Sequence, residues 1–150
     1  MIAPDVNVLL YALRQDSEQH AAYRDWLERA LNGPEAVALL EPVLAAVFRI
    51  GTHPAIYKLP TPLAALEAFV DACIDAPAAI RLRADQQHFD VFRDLCRRAD
   101  CRGNLVQDAY LAALALEHNL TFVTTDRDFS RFPRLRWQHP LEDRAPRTNP

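Results

Sequence analysis

Short β-rich runs alternate with longer stretches of helical periodicity along most of the 150-residue chain. Such alternation is typical of βαβ units, whose right-handed crossovers produce a parallel sheet with helices on both faces. The runs that we predict as strands lie at residues 1–5, 36–40, 80–82, 121–124 and 135–137. We therefore predict an α/β fold with a central parallel sheet of about four to five short strands flanked by helices.

The length of the chain limits it to one domain. A chain of 150 residues, half of them hydrophobic, buries one sizeable core but is too short for two ordinary domains. We predict this domain over residues 1–141, followed by a polar, loosely ordered tail over residues 142–150. The sequence has no apolar run long enough to span a membrane and no signal-peptide pattern, so we expect a cytoplasmic protein without a membrane partner.

Polar residues near the ends of the helical stretches are predicted as helix caps. Asn7 is expected to cap the first helix and Asp16 or Ser17 the second. Asp85 is expected to begin another helix. Asn104 and Gln107 resemble a capping box for a helix over residues 105–118.

Charge and cysteine content exclude some functions and leave others open. The net charge of −3 argues against a protein that coats nucleic acid through bulk charge. Every basic residue except Lys58 is arginine, which binds phosphates but equally pairs with nearby acids. Cys73, Cys96 and Cys101 match no common zinc pattern, and we predict them as reduced structural thiols.

Three aspartates occupy positions where a parallel sheet would bring them together. Asp5 ends the first predicted strand, Asp126 follows the strand at 121–124, and Asp108 lies in the first turn of the preceding helix. Sites in such sheets form beyond the carboxyl ends of the strands. Each aspartate alone is explained as a turn or helix-start residue. The hypothesis of a shared site therefore depends on all three aspartates lying at positions of this kind.

Carboxylates that converge need a cation or protons to offset their mutual repulsion. Oxygen ligands suit Mg²⁺ or Mn²⁺, whereas zinc and copper prefer imidazole and thiolate groups, which this pattern lacks. We predict Asp5, Asp108 and Asp126 as metal ligands and catalytic residues, with Mg²⁺ as the cofactor and Mn²⁺ as an alternative. Asn7 and either Thr124 or Thr125 are candidates to hydrogen-bond the acids, although capping and strand propensity explain them equally well.

The motifs of other catalytic classes are absent from the sequence. With only three glycines, the chain has neither a Walker loop nor a dinucleotide-binding turn. Ser17 and Ser130 lie in no nucleophile elbow, and the five histidines form no H-E-x-x-H pair. Nucleophilic serine catalysis and zinc-dependent hydrolysis are therefore set aside.

Three stretches resemble the signature motifs of PIN domains, in particular those of VapC-type toxins from bacterial toxin–antitoxin pairs. They are Asp5-Val-Asn7-Val-Leu-Leu-Tyr11-Ala12, Asn104-Leu-Val-Gln-Asp108-Ala-Tyr-Leu-Ala112-Ala113-Leu-Ala, and Thr124-Thr-Asp126-Arg-Asp128-Phe129. The resemblance extends from Asp5 to Leu141. It implies a PIN-like fold and a Mg²⁺-dependent endoribonuclease whose acidic pocket contains Asp5, Asp108 and Asp126.

The resemblance also implies partners. A toxin of this kind would cleave RNA, be inhibited by a cognate antitoxin that blocks the pocket, and form a homodimer as many relatives do. Aromatic residues near the pocket would stack an unpaired base, which favours single-stranded or looped RNA. The sequence does not identify which aromatic residues would do so.

The sequence departs from the family pattern at one acid. The fourth acid of the family is expected at the position of Leu44, and the nearest acid is Glu41, one helical turn earlier on the same face. Glu41 either replaces the missing catalytic acid, acts through water, or only stabilises the start of its helix. The alternative function is therefore a non-catalytic PIN-like module that binds RNA or protein. A phosphatase fits less well, because Asn7 stands where a second aspartate would be needed.

Overall fold

Six short strands form one sheet within residues 1–142 and 145–150, the part of the chain that the computed structural model describes. The strands are β1 (Ile2–Pro4), β2 (Val37–Leu40), β3 (Ala79–Leu82), β4 (Thr121–Val123), β5 (Arg136–Gln138) and β6 (Arg147–Thr148). Their order in the sheet is β3-β2-β1-β4-β5-β6. Strands β1 to β5 are parallel, which confirms the predicted α/β fold and parallel sheet, and β6 adds an antiparallel strand that we did not predict.

Helices connect the parallel strands and cover the sheet. They are α1 (Val6–Leu13), α2 (His20–Leu31), α3 (Glu41–Gly51), α4 (Leu63–Ile74), α5 (His88–Arg98) and α6 (Asn104–Glu117), with a 3₁₀ helix at Arg127–Arg131. Among residues 1–142 and 145–150, no helix is both long and apolar enough to cross a membrane.

The central strands are buried on both faces, which explains why the sequence shows continuous apolar runs in place of alternation. Every residue of β1, β2 and β4 is buried. The edge strand β3 is only half-buried. Five consecutive residues of α6, Leu111–Ala115, are also buried, and a helix that is buried all round belongs to the centre of the core.

The strand register brings the ends of β1 and β4 to the same level. Ile2 pairs with Thr121 and Pro4 pairs with Val123, so Asp5 and Thr124 lie side by side at the carboxyl edge of the sheet. The backbone N–H of Asp5 donates to the carbonyl oxygen of Val123 at 2.9 Å. This register therefore determines which side chains can meet beyond the strands.

Several helix starts differ from the predicted caps. Asp5 caps α1, its carboxylate accepting the N–H of Val6, while Asn7 lies inside the helix. Gly103 precedes α6 at a φ of 56°, and no capping box forms. The chain reaches α6 through a left-handed turn that glycine adopts readily.

The helices α2 and α5 begin later than predicted. Gln19 precedes α2 in a left-handed conformation, so Asp16 and Ser17 lie outside the helix. Gln87 precedes α5, and Asp85 contributes only its carbonyl oxygen, which accepts the N–H of His88.

The expectation of a loosely ordered tail is wrong at Arg147–Asn149. Strand β6 pairs with β5, and Asn149 is 9% exposed. The Asn149 amide donates to the carbonyl oxygens of Phe129 and Phe132 and accepts from the indole N–H of Trp137. Asp143 and Arg144 of the predicted tail lie outside the described residues. The boundary at residue 141 stays a prediction.

Candidate active site

Asp5 is a buried carboxylate at the carboxyl edge of the sheet, with 3% of its surface exposed. Its Oδ1 accepts the N–H of Val6 at 2.7 Å, and its Oδ2 accepts the hydroxyl of Thr124 at 2.7 Å. Burial raises the pKa of Asp5 above its ordinary value, although the two hydrogen bonds oppose that effect. The nearby Asp126 carboxylate raises the pKa further.

Thr124 links Asp5 to the turn that follows β4. Its hydroxyl donates to Asp5 and accepts the backbone N–H of Asp126 at 3.0 Å. The Asp126 carboxylate in turn accepts the N–H of Asp128 at 2.8 Å and caps the 3₁₀ helix. Of the two threonines that we predicted as hydrogen-bond partners of the acids, Thr124 is therefore confirmed. The structure gives this role to a side chain that is fully buried.

Asp108 is the third member of the group, although it lies in the second turn of α6 and not in the first as predicted. Its carboxyl is half-buried, and its pKa is raised to about 6. Burial is the largest cause, followed by the negative charges of Asp126, Asp5 and Asp128. We call Asp5, Asp108 and Asp126 the acid cluster, because their charges act on one another.

The chemistry of the acid cluster fits Mg²⁺ or Mn²⁺. All of its side-chain donors are oxygens, and each ionised carboxylate keeps lone pairs beyond its hydrogen bonds. A cation held by Asp5 and Asp108 would offset the repulsion that raises the pKa of Asp108. Within residues 1–142 and 145–150, however, no three acidic, histidine or cysteine side chains form a ready-made metal site. The acids are therefore neighbours whose carboxylates would close further around an ion.

Cys101 lies near Asp108 but does not add a soft ligand to the site. Burial, the adjacent Cys96 thiol and the Asp108 charge raise the pKa of Cys101 to about 11. The thiol therefore stays protonated near neutral pH, and only a thiolate binds metal well. All three cysteines are unpaired, in agreement with the prediction of reduced thiols.

Glu41 and Leu44, both on α3, differ in their exposure to solvent. Glu41 is the exposed first residue of α3 and directly follows β2, at the same edge of the sheet as Asp5. Its carboxylate has no hydrogen-bond or ion-pair partner among residues 1–142 and 145–150. Leu44 is 8% exposed and belongs to the hydrophobic core. The structure thus leaves the catalytic role of Glu41 a prediction and puts an apolar side chain where the family acid is expected.

The sequence did not reveal a cavity that is lined in part by the turn after β4. Thr125, which lies between Thr124 and Asp126, lines it together with the tyrosines at 11 and 23 and with His139. Tyr11 lies in the first signature stretch, which was the one available signal. Tyr23 and His139 are brought there from α2 and from the end of β5, and no sequence pattern connects them.

Comparison with known proteins identifies the family. The sequence profile of the PIN domain matches residues 2–135. Ribonuclease VapC43 of Mycobacterium tuberculosis (strain ATCC 25618 / H37Rv) is 48% identical over 143 residues, which cover 95% of this chain and 97% of VapC43. The chain belongs to the PIN-domain family, in its VapC branch. A second VapC-branch relative from the same strain, Ribonuclease VapC25, is 37% identical over 93% of this chain and 99% of its own length.

Solved structures confirm the fold of this PIN domain. FitAB bound to the IR36 DNA fragment gives a TM-score of 0.71 at 20% identity, covering 97% of this chain and 99% of that chain. VapC20 of Mycobacterium tuberculosis, described as a sarcin-ricin loop cleaving toxin, gives 0.66 at 14% identity, covering 87% and 93%. At these identities the similarity shows the α/β PIN fold alone.

Proposed function

We propose that this PIN domain is a Mg²⁺-dependent endoribonuclease, for which Mn²⁺ would substitute, and the toxin of a toxin–antitoxin pair. The observation that carries the proposal is the acid cluster. The charges of its three carboxylates act on one another, in a chain that is 48% identical to a ribonuclease over nearly its whole length. Two of them, Asp5 and Asp108, have raised pKa values, as is typical of carboxyl groups in functional sites.

In this proposal Asp5 and Asp108 hold the cation, while Asp126 holds its waters or a second ion. The bound cation would make a water molecule more acidic and neutralise charge that develops at the phosphorus. The Thr124 hydroxyl fixes the orientation of Asp5 and positions the Asp126 backbone relative to it. Such positioning lowers the barrier, because the carboxylates need little rearrangement during the reaction.

The proposed partners follow from the relatives. Solved neighbours include VapBC2 from Rickettsia felis bound to promoter DNA and VapBC-1 from nontypeable Haemophilus influenzae. By analogy we propose a cognate antitoxin that blocks the acid cluster and a toxin that forms a homodimer. The substrate would be single-stranded or looped RNA, as the description of VapC20 also suggests for that toxin.

Removal of divalent cations tests the proposal. Purified, antitoxin-free protein should cleave RNA with added Mg²⁺ or Mn²⁺, and excess EDTA should abolish cleavage, because the cluster offers only oxygen ligands. Restoring Mg²⁺ should restore the rate, which controls for irreversible damage. Cleavage that continues unchanged in excess EDTA would exclude the metal mechanism.

The second candidate function is a PIN-like module that binds RNA or protein without cutting. Leu44 favours it, because a leucine stands where the fourth acid of the family is expected, and its side chain is buried in the core. Absence of cleavage on every RNA tested, by protein freed of antitoxin, would support this candidate.

Glu41→Gln separates a catalytic role for Glu41 from a structural one. If Glu41 replaces the missing acid, cleavage should fall at least about tenfold, or about 1.4 kcal/mol in the barrier, with little loss of stability. If Glu41 only stabilises the start of α3, cleavage should stay normal and stability should fall by roughly 0.3–1 kcal/mol. Glu67→Gln, at an exposed acid inside α4, is the matched control.

A further inference from the structure

A cavity of about 330 Å³ is lined in part by Thr125, which precedes Asp126 of the acid cluster in the chain. This volume is within the range of small-molecule sites, at its lower end. The cavity combines aromatic with polar side chains, and its lining residues are Tyr11, Glu18, Gln19, Tyr23, Thr125 and His139.

Three chain segments that line this cavity are also connected to the acids. Thr125 is the residue between Thr124, which hydrogen-bonds Asp5, and Asp126. His139 follows β5, whose last residue, Gln138, accepts the backbone N–H of Thr124 at 3.0 Å. Tyr11 lies on α1, six residues after its cap Asp5, which corresponds to about 9 Å along the helix axis. Parts of the cavity wall therefore lie on the same chain segments as Asp5 and Asp126.

The aromatic wall of the cavity is held in place by contacts among its own rings. The centroids of Tyr11 and Tyr23 are 5.1 Å apart at an interplanar angle of 61°, and those of Tyr23 and His139 are 6.5 Å apart at 62°. Edge-to-face contacts of this kind are favourable. An unpaired base that stacks on such a wall gains affinity whatever its identity, because every base has a π-face.

Three polar groups of the cavity make no hydrogen bond within the described part of the chain. Tyr23 is only 6% exposed, yet its hydroxyl makes no hydrogen bond within residues 1–142 and 145–150, and the same is true of the Tyr11 hydroxyl and the Glu18 carboxylate. Burial raises the pKa of Tyr23, and Tyr11 and Glu18 lie close enough to raise it further. Neither hydroxyl is a fully buried atom and Glu18 is exposed, so a ligand in the cavity would replace water at these groups.

We propose that this cavity binds the base of an unpaired nucleotide adjacent to the cleaved bond, and that it prefers guanine. The claim that this cavity sets the specificity of cleavage rests on the ribonuclease function proposed above. Guanine presents two neighbouring donors, N1–H and the N2 amino group, which match the two oxygens of the Glu18 carboxylate. A free phosphate does not fit, because Glu18 and the acid cluster are negative. Enzymes that hold an extruded base use this combination of stacking and edge hydrogen bonds.

Nucleoside binding in EDTA tests the cavity without any cleavage. In saturation-transfer NMR, the H8 proton of guanosine should receive more saturation from the wild-type protein than the ribose protons do. Guanosine should bind at least threefold more tightly than inosine, which lacks the N2 amino group, and this preference should disappear in Glu18→Gln. Tyr11→Leu should weaken guanosine binding at least fivefold, consistent with the usual worth of base stacking.

Control variants keep the test decisive if a substitution affects folding. Tyr23→Phe removes only the unpartnered hydroxyl and should weaken guanosine binding while leaving the melting temperature unchanged. Phe89→Leu removes a ring that is 62% exposed on α5 and should have no effect on binding. Guanosine binding that is equal in wild type, Tyr11→Leu and Glu18→Gln overturns the proposal.

Cleavage kinetics connect the cavity to catalysis. With Mg²⁺, an RNA carrying inosine in place of the guanosine next to the cut should be cleaved with at least threefold lower kcat/KM, and Glu18→Gln should remove the difference. If the wild type binds guanosine but cleaves no RNA, the ribonuclease proposal fails while the base site stands. If Glu18→Gln relieves antitoxin inhibition but changes neither guanosine binding nor base preference, the cavity takes a protein side chain and our proposal is wrong.

Discussion

Asp108→Asn should lower Mg²⁺-dependent RNA cleavage by about a hundredfold or more. Loss of residues that merely support metal ligands already costs roughly 10–100-fold, and Asp108 is proposed as a ligand itself. Asparagine keeps the size of the side chain but removes the negative charge that would hold the cation. Initial rates on a fluorescent RNA, measured with saturating Mg²⁺, check this expectation.

The same substitution should not destabilise the protein. Burial and the charges of Asp126, Asp5 and Asp128 disfavour ionised Asp108, so its neutral replacement relieves repulsion in the folded state. In metal-free buffer the melting temperature should stay the same or rise. Asp71→Asn, at an exposed acid of α4, should leave both cleavage and stability unchanged. A normal cleavage rate in Asp108→Asn would mean that the acid cluster is wrongly assigned.

Leu44→Glu should destabilise the fold by about 3–5 kcal/mol, because it places an unpaired carboxylate in the hydrophobic core. Leu44 is 8% exposed and lies on α3 among other buried apolar residues. Urea denaturation of the variant and of wild type, at one pH and temperature, measures the difference in unfolding free energy. Cleavage at a temperature where the variant remains folded should not exceed the wild-type rate.

Leu44→Met is the matched control for this variant. It keeps the side chain apolar with nearly the same volume and should cost less than about 1.5 kcal/mol. If Leu44→Glu instead remains as stable as wild type and cleaves faster, position 44 opens onto the active site. The chain would then be a PIN domain that had lost an acid from an intact pocket.

Much of the fold was predictable because burial and helical period are local properties of a sequence. The apolar runs at β1, β2 and β4 appear as continuous stretches because both faces of those strands are covered. The prediction that Asp5 and Asp126 approach one another follows from the parallel arrangement, since parallel strands end at one edge. Their positions directly after predicted strands were enough to predict this part of the candidate site.

Helix starts and the C-terminal segment were less predictable. A capping residue is chosen by the direction from which the chain enters the helix, and α6 is entered through Gly103 at a φ of 56° and not through an Asn104 cap. Polar composition made the tail look loose, but Asn149 satisfies carbonyl groups and an indole N–H that the rest of the fold leaves open. Such pairings are visible only once the partners have been placed.

From the sequence alone one could determine the α/β class and the parallel sheet and propose the three aspartates, because each depends on residue type and on position relative to a strand or helix. Only the tertiary structure decided that one Thr124 hydroxyl joins Asp5 to Asp126, since this contact depends on the register between β1 and β4. The same holds for the cavity between Tyr11, Tyr23 and His139, which come from three separate elements. Contacts between distant segments depend on how strands align and helices pack, and a local pattern does not encode that alignment.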